Sequence, residues 1–184
     1  MKTKIIKKAE MFHAINDMAI KGEIVIFGSS FTANFPFYEM SQSYVMSNAI
    51  YNRSINDITI KEAIEVLQHC VIDIQPRKVF LCFGESEPDL KLAITDYRKL
   101  IFKLKEKLPH CELFVLSIKE TNDETRCFND SLTTLADKEN VKFLKINYND
   151  IDGITQYKKV FKKLSCFFRS NKLDLTDAFL VASK

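Results

Sequence analysis

The feature that most constrains the fold is a short apolar run that leads directly into a small polar turn. Residues 24–27 are four consecutive apolar side chains, and Gly28, Ser29 and Ser30 follow at once. A short, mostly β-branched run that ends at a turn signal predicts a buried strand of a parallel sheet. Ligands of open α/β sheets bind beyond the carboxyl ends of the strands, so the two serines are candidate site residues. Serines that only cap the next helix are the alternative interpretation of this turn.

Four further apolar runs alternate with helical patterns along the chain. The predicted strands after the first cover residues 44–50, 78–84, 111–118 and 141–146. The predicted helices cover residues 7–20, 36–40, 59–71, 89–108, 125–136 and 157–164, and a short one begins at Thr176. Thr59 and Glu62 have the spacing of a capping box. Such an alternation of strands and helices predicts a parallel sheet with helices on both of its faces.

Length and composition indicate one domain that spans residues 1–184. Glycine and proline number only 4 each, so no flexible linker divides the 184 residues. The net charge of +3 is too small to imply a nucleic-acid partner. The basic amino terminus has no apolar stretch behind it, and no segment approaches membrane-spanning length. These features predict a soluble, cytoplasmic protein.

The five cysteines are expected to be free thiols. They are odd in number, widely spread and without a CxxC pair, and most lie in apolar segments. Buried free thiols in a reducing compartment account for this pattern and agree with a cytoplasmic location.

The polar segments after the first three predicted strands carry the clearest motifs. They are Gly28-Ser29-Ser30, the loop over residues 52–57, and Gly84-Glu85-Ser86-Glu87. In order and spacing, over nearly the whole chain, they resemble the SGNH or GDSL hydrolase family. The resemblance implies a three-layer α/β/α sandwich around a flavodoxin-like, parallel, five-stranded sheet.

The same resemblance implies roles for individual residues. Ser30 matches the family's nucleophile, and Ser29 stands where the family has aspartate. Asn52 and Ser54 belong to the loop whose glycine N–H helps to bind the oxyanion, with Ser54 in the place of that glycine. Ser86 stands in the place of the asparagine that completes the oxyanion hole. Losing one such donor typically costs about 100- to 1000-fold in rate.

The last motif departs furthest from the family. The family's Asp-x-x-His pair aligns with Asn171 and Asp174. A serine hydroxyl needs a base within hydrogen-bond reach, and a carboxylate is a weaker base than an imidazole unless its pKa is raised. His69 and His110 are predicted at the sheet edge away from the site. The alignment therefore predicts that Ser30 lacks its catalytic histidine.

Two functions remain open on this basis. The first is a pseudoenzyme that keeps the pocket and Ser30 but has weak or no ester hydrolysis, and acts in binding or assembly. The second is an active serine esterase or deacylase on a small acylated substrate, with Ser30 as nucleophile. The expected ligand is a small acylated molecule or a carbohydrate, and a protein partner is compatible with the first function.

No cofactor or metal is expected from the sequence. Residues 150–153 resemble part of a calcium loop, but Tyr148 and Lys159 fall where its first and last acidic ligands belong. The chain has no glycine-rich dinucleotide or phosphate-binding pattern.

Overall fold

A computed structural model describes residues 2–44, 46, 48–148 and 153–168. The helices are α1 Lys2–Ile15, α2 Ser30–Ala33, α3 Phe37–Ser43, α4 Ile60–Glu65, α5 Leu67–Cys70, α6 Leu90–Lys107, α7 Asp123–Lys138 and α8 Gly153–Phe168. The strands are β1 Ile24–Gly28, β2 Ile50–Asn52, β3 Lys78–Cys82, β4 Glu112–Leu116 and β5 Lys142–Leu144. Two short 3-10 turns cover Asn16–Met18 and Ile72–Ile74.

The five strands form one parallel sheet in the order β2-β1-β3-β4-β5. Alternate side chains of each strand point to opposite faces, so the sheet is covered by two separate apolar clusters. One cluster packs against α1, α4, α5, α6 and α7, and the other packs against α3 and α8. The predicted three-layer α/β/α architecture is confirmed.

The buried central strands agree with the sequence prediction. All residues of β1 and β3 are buried, as is nearly all of β4. The capping box that begins α4 is also present, because the Thr59 hydroxyl accepts the N–H of Glu62 and the Glu62 carboxylate accepts the N–H of Thr59. Long apolar runs and capping pairs are thus the parts of the pattern that predict structure well.

The predicted second strand was wrong in its position. Residues 44–50 were expected to form it, whereas β2 covers Ile50–Asn52 and α3 continues to Ser43. Met46 packs against the second apolar cluster instead, and the exposed Tyr44 ring lies 5.1 Å from the Phe161 ring of that cluster. A half-buried edge strand of three residues carries too short a pattern to be distinguished from such packing.

The first helix begins earlier and ends earlier than predicted. It covers Lys2–Ile15 rather than residues 7–20, and Ile5, Ala9 and Phe12 form its buried face. The buried Asn16 side chain donates to the carbonyl of His69 over 2.7 Å. This contact accompanies the change from α-helix to a 3-10 turn, and leaves Met11 and Met18 exposed.

Among the described residues, no helix is both long and apolar enough to cross a lipid bilayer. All five cysteines lie in the described part of the chain, and none forms a disulfide bond.

The carboxyl ends of β4 and β5 are tied together by buried polar groups. Ser117 accepts the N–H of Ile146 with its hydroxyl, and its carbonyl accepts the Tyr148 hydroxyl over 2.6 Å. Asn129 of α7 accepts the N–H of Ile118 and donates to the carbonyl of the same residue, both over 3.0 Å. These contacts satisfy backbone groups where the sheet ends and the helices begin.

We expect Asn129→Ala to destabilise the protein by roughly 2–4 kcal/mol, because it leaves a buried N–H and a buried carbonyl of Ile118 unpaired. The measurement is urea unfolding followed by circular dichroism. Asp130→Ala, an exposed change on the next residue of α7, is the matched control. Equal stabilities of the two variants would contradict this account.

Candidate active site

The site is built where β1 ends against β3. Gly28 closes β1, and a Cβ at this position would lie 2.4 Å from both the Cys82 carbonyl oxygen and the Thr32 hydroxyl. Only glycine therefore fits between the neighbouring strand and α2. The N–H of Ser29 then donates to the Cys82 carbonyl over 2.9 Å. This tight turn places Ser30 at the start of α2.

The Ser30 hydroxyl makes two hydrogen bonds with Asp57. It donates to Asp57 Oδ1 over 3.1 Å and accepts the backbone N–H of Asp57 over 3.0 Å. Asp57 adopts a left-handed backbone conformation with a φ of 60°, which brings both groups toward Ser30. The side-chain amide of Asn34 donates to the carbonyl of Ser30 and to Oδ1 of Asn56, and these hydrogen bonds support the same loop.

Asn52 connects the loop after β2 to α2. Its side chain donates to the Thr32 carbonyl over 2.7 Å and accepts the N–H of Ser54 over 3.1 Å. The N–H groups of Arg53 and Ile55 continue the ladder to β1 beyond the end of β2. Ser54 is therefore held beside the end of β1, with its backbone N–H already bonded.

Ser29 and Ser86 meet across the ends of β1 and β3. Their hydroxyl oxygens lie 2.6 Å apart, and the Ser29 side chain is fully buried. The buried Ser54 hydroxyl has no hydrogen-bond partner among the described residues. The structure thus brings Ser29, Ser30, Ser54 and Ser86 to the same edge of the sheet, while their catalytic roles stay predictions.

The loop after β3 is anchored by two carboxylates. Glu85 accepts the N–H of Phe31 in α2 over 2.8 Å, and Glu87 accepts the N–H of Ile60 in α4 over 2.6 Å. Partial burial raises the pKa of Glu87 above its ordinary value, and the bond from Ile60 opposes this shift. Burial also raises the pKa of the Cys82 thiol well above its usual range, so that thiol stays protonated and is a poor nucleophile.

An open cleft of about 730 Å³ adjoins the Ser30–Asp57 pair. We call it the α1 cleft, since α1 forms one wall and the loop after β2 forms the other. Its lining residues are Lys4, Ile5, Lys8, Ala33, Ser54, Ile55, Asn56 and Asp57. The two lysines of α1 place positive charge on the wall that faces the Asp57 loop.

The residue after Ser30, Phe31, belongs to a cluster of aromatic side chains. The ring of Phe31 lies 5.1 Å from Tyr148 and 5.7 Å from Phe35, each in an edge-to-face arrangement. Edge-to-face contacts of this kind give a firm apolar wall.

All three histidines of the chain lie within the described residues, and none is bonded to Ser30. His13 and His69 both contact Asp73, in the turn before β3. His110 is exposed just before β4. These positions belong to the amino edge of the sheet, opposite Ser30.

Two predicted site residues, Asn171 and Asp174, lie outside the described residues, as does the helix expected from Thr176. Conversely, sequence reasoning named Asp57 only as the end of a polar loop and missed its contact with Ser30. The available signal was the Asn56-Asp57 pair, because asparagine and aspartate tolerate left-handed backbone in turns. Lys4 and Lys8 were missed because helix charges are usually only solvated.

Solved structures with the same architecture are numerous. A Streptococcus pneumonia protein described provisionally as a platelet activating factor superimposes with a TM-score of 0.77 at 18% identity, over 89% of this chain and 92% of its own. A GDSL-like lipase from Bacteroides thetaiotaomicron has a TM-score of 0.65 at 12% sequence identity, and the match covers 80% of this chain and 82% of the lipase chain. A catalytic histidine-to-alanine mutant of an acetylxylan esterase from Geobacillus stearothermophilus has a TM-score of 0.56 at 13% sequence identity. That match covers 79% of this chain and 82% of the esterase chain.

The chain has the SGNH/GDSL hydrolase fold. No protein-family model matches the sequence, and no curated protein matches it, so the likeness lies in the structure. At these identities the SGNH fold is established and the activity of the neighbours is not transferred with it.

The raised pKa of Glu87 predicts a pH-dependent contribution to stability. Between the unfolded value of about 4.3 and the higher folded value, the native protein binds more protons at Glu87 than the unfolded chain does. The contribution of Glu87 therefore falls as pH rises through that window. We expect the stability of Glu87→Gln relative to the wild type to increase with pH there and then to level off.

Chemical unfolding at a series of pH values measures this difference. Ser86→Ala is the control, because it changes the adjacent residue without removing a titrating group. A relative stability of Glu87→Gln that stays constant or decreases as pH rises would contradict the prediction.

Proposed function

We propose that this protein uses the Ser30 edge of an SGNH fold to bind a small acylated molecule or a carbohydrate, and that its ester hydrolysis is weak or lost. The observation that carries the proposal is the environment of the Ser30 hydroxyl. Its partners among the described residues are both provided by Asp57, and all three histidines lie elsewhere. Without an imidazole, Ser30 lacks the usual general base of such hydrolases.

The predicted oxyanion donors also support weak hydrolysis. The N–H of Ser54 is bonded to Asn52, and the Ser86 hydroxyl is bonded to Ser29. A developing oxyanion is stabilised by donors that already point to it and cost no reorganisation. Here the Ser54 N–H must first leave Asn52, and the Ser86 hydroxyl shares with Ser29 a hydrogen bond that either oxygen can donate. This pair therefore contributes less to the transition state than two preorganised donors do.

The α1 cleft supports the binding role. Its volume of about 730 Å³ lies within the usual range for small-molecule sites, roughly 300–1,000 Å³. Ile5 and Ile55 offer an apolar surface, while Lys4, Lys8 and Asn56 offer hydrogen-bond donors. A ligand with a short acyl group and several polar oxygens matches this mixture.

One contact favours the second candidate, an active serine esterase or deacylase. The Asp57 carboxylate accepts the Ser30 proton over 3.1 Å, which is the geometry that a general base requires. In that function Asp57, or the predicted Asp174, removes the proton as the Ser30 oxygen attacks the acyl carbon.

The two candidates differ in their ester hydrolysis. We expect the wild-type protein to hydrolyse p-nitrophenyl acetate at a rate near background, and Ser30→Ala to leave that rate unchanged, because Ser30 is not activated. Ser131→Ala, an exposed serine change on α7, is the matched control. Hydrolysis well above background that Ser30→Ala abolishes would establish the second candidate, and Asp57→Asn would then identify its base.

A restored histidine tests the predicted substitution in the last motif. Asn171→Asp combined with Asp174→His returns the family's residue types, and Ser30-dependent hydrolysis should rise above the wild-type rate. The gain stays limited, because Ser86 remains in the place of the asparagine donor. No gain in a folded double variant would count against the assigned positions of Asn171 and Asp174.

Ligand binding is expected at the α1 cleft. Ala33→Phe fills the cleft from α2, and Ala14→Phe adds the same ring at an exposed position of α1 as a control. Acetylated xylooligosaccharides, probes suggested by the esterase neighbour, should raise the melting temperature of the wild type and of Ala14→Phe but not of Ala33→Phe. Equal shifts in all three proteins would place binding elsewhere.

A further inference from the structure

A cluster of metal-binding side chains lies at the amino edge of the sheet, opposite Ser30. His13 of α1, His69 of α5 and Asp73 of the following turn place one ligand atom each within 4.8 Å of the others. The Nδ1 atoms of the two histidines lie 2.8 Å and 3.5 Å from the same oxygen, Asp73 Oδ2. The two imidazole rings are 4.3 Å apart at a tilt of 46°.

We propose that His13, His69 and Asp73 form a binding site for a divalent transition-metal ion, with Zn²⁺ as the ion that fits best. Imidazole nitrogen and carboxylate oxygen are ordinary zinc ligands. Tetrahedral zinc, with bonds of about 2.0–2.1 Å, keeps its ligand atoms roughly 3.3 Å apart. The two nitrogen separations from Asp73 Oδ2 lie on either side of that value. All three ligand atoms lie within 4.8 Å of one another, so side-chain movements would bring them to one ion.

The ligand atoms are already oriented by neighbouring contacts. Gln68 donates to Asp73 Oδ1 over 2.6 Å, which leaves Oδ2 for the two imidazoles. Asn16 donates to the backbone carbonyl of His69 and fixes the end of α5. The chain leaves α5 at Cys70 and enters the 3-10 turn that carries Asp73, which brings Asp73 Oδ2 to 3.5 Å from His69 Nδ1. Such supporting hydrogen bonds are typical of metal sites.

The cluster is open to solvent, so an ion can enter it. The side chains of His13, His69 and Asp73 are 58%, 41% and 20% exposed. A surface cleft of about 430 Å³ contains His13 and Asp73, and its lining also carries the opposite charges of Asp17 and Lys21. Three protein ligands and an open face leave room for a water molecule as the fourth ligand.

The ion would join two parts of the fold that are distant in sequence. His13 belongs to α1, and the other two ligands belong to the segment between α4 and β3. Without the ion, the exposed hydrogen bond from His13 to Asp73 joins these parts. Bonds from the metal ion to these side chains should hold α1 more firmly against the sheet, because an ion that binds only the folded state stabilises the folded state.

Calorimetric titration of chelator-treated, untagged protein with ZnCl₂ tests the proposal. The exposed thiols of Cys127 and Cys166 are removed first by Cys127→Ser and Cys166→Ser, since thiols also bind zinc. We expect one ion to bind per chain. Binding should be at least about tenfold weaker in His13→Ala or His69→Ala, because even a residue that only hydrogen-bonds to a metal ligand contributes about that much to metal affinity. His110→Ala is the matched control and should bind as the parent does.

Two further readouts distinguish a built site from loose surface binding. Zinc should raise the melting temperature of the parent and of His110→Ala, but not that of His13→Ala, which loses the ligand on α1. Bound Co²⁺ should show a visible spectrum typical of tetrahedral coordination in the parent and in His110→Ala, but not in His13→Ala or His69→Ala. Zinc binding that is unchanged by His13→Ala and His69→Ala, or the absence of saturable binding in the parent, would overturn the proposal.

Discussion

The site depends on the close approach of β1, β3 and α2 at Gly28. A side chain there would collide with the Cys82 carbonyl and the Thr32 hydroxyl, each 2.4 Å from the position of a Cβ. Because the chain turns without a side chain, the Ser29 N–H reaches β3 and its hydroxyl reaches Ser86. The contacts of Ser30 with the Asp57 loop then follow from where α2 begins. One steric constraint thus determines which polar groups meet at this edge.

The polar groups at this edge are largely hydrogen-bonded to one another, which makes them less available to a reacting substrate. The Ser54 N–H and the Ser30 hydroxyl each donate an internal hydrogen bond, and the Ser29 and Ser86 hydroxyls share one between them. Such a network is rigid and stable in a partly buried place, where an unpaired polar group is costly. An active hydrolase instead keeps its donors directed at the developing charge. The network is therefore compatible with the proposed binding at the α1 cleft, which needs no stabilised oxyanion.

Sequence reasoning succeeded where burial leaves a long pattern and failed where geometry depends on single dihedral angles or on distant contacts. The runs that form β1, β3 and β4 were recognised because strands buried on both faces are continuously apolar. The sequence prediction misplaced the short edge strand β2 because this strand has no such continuous apolar pattern. The contact between Ser30 and Asp57 requires a φ of 60° at Asp57, which the residue type permits but does not dictate. His13 and Asp73 are 60 residues apart, so their contact could be found only in the folded structure.

Helix α1 connects the two edges of the sheet and gives the amino-terminal segment a physical role. Near its start, Lys4 and Lys8 line the cleft beside Asp57, and near its end His13 contacts Asp73. Its middle is anchored by the buried side chains of Ile5, Ala9 and Phe12 against the sheet. The same helix therefore carries one residue of the proposed metal site and two residues of the proposed ligand cleft. Its buried face fixes the distance between them, because both groups of residues project from one continuous helix.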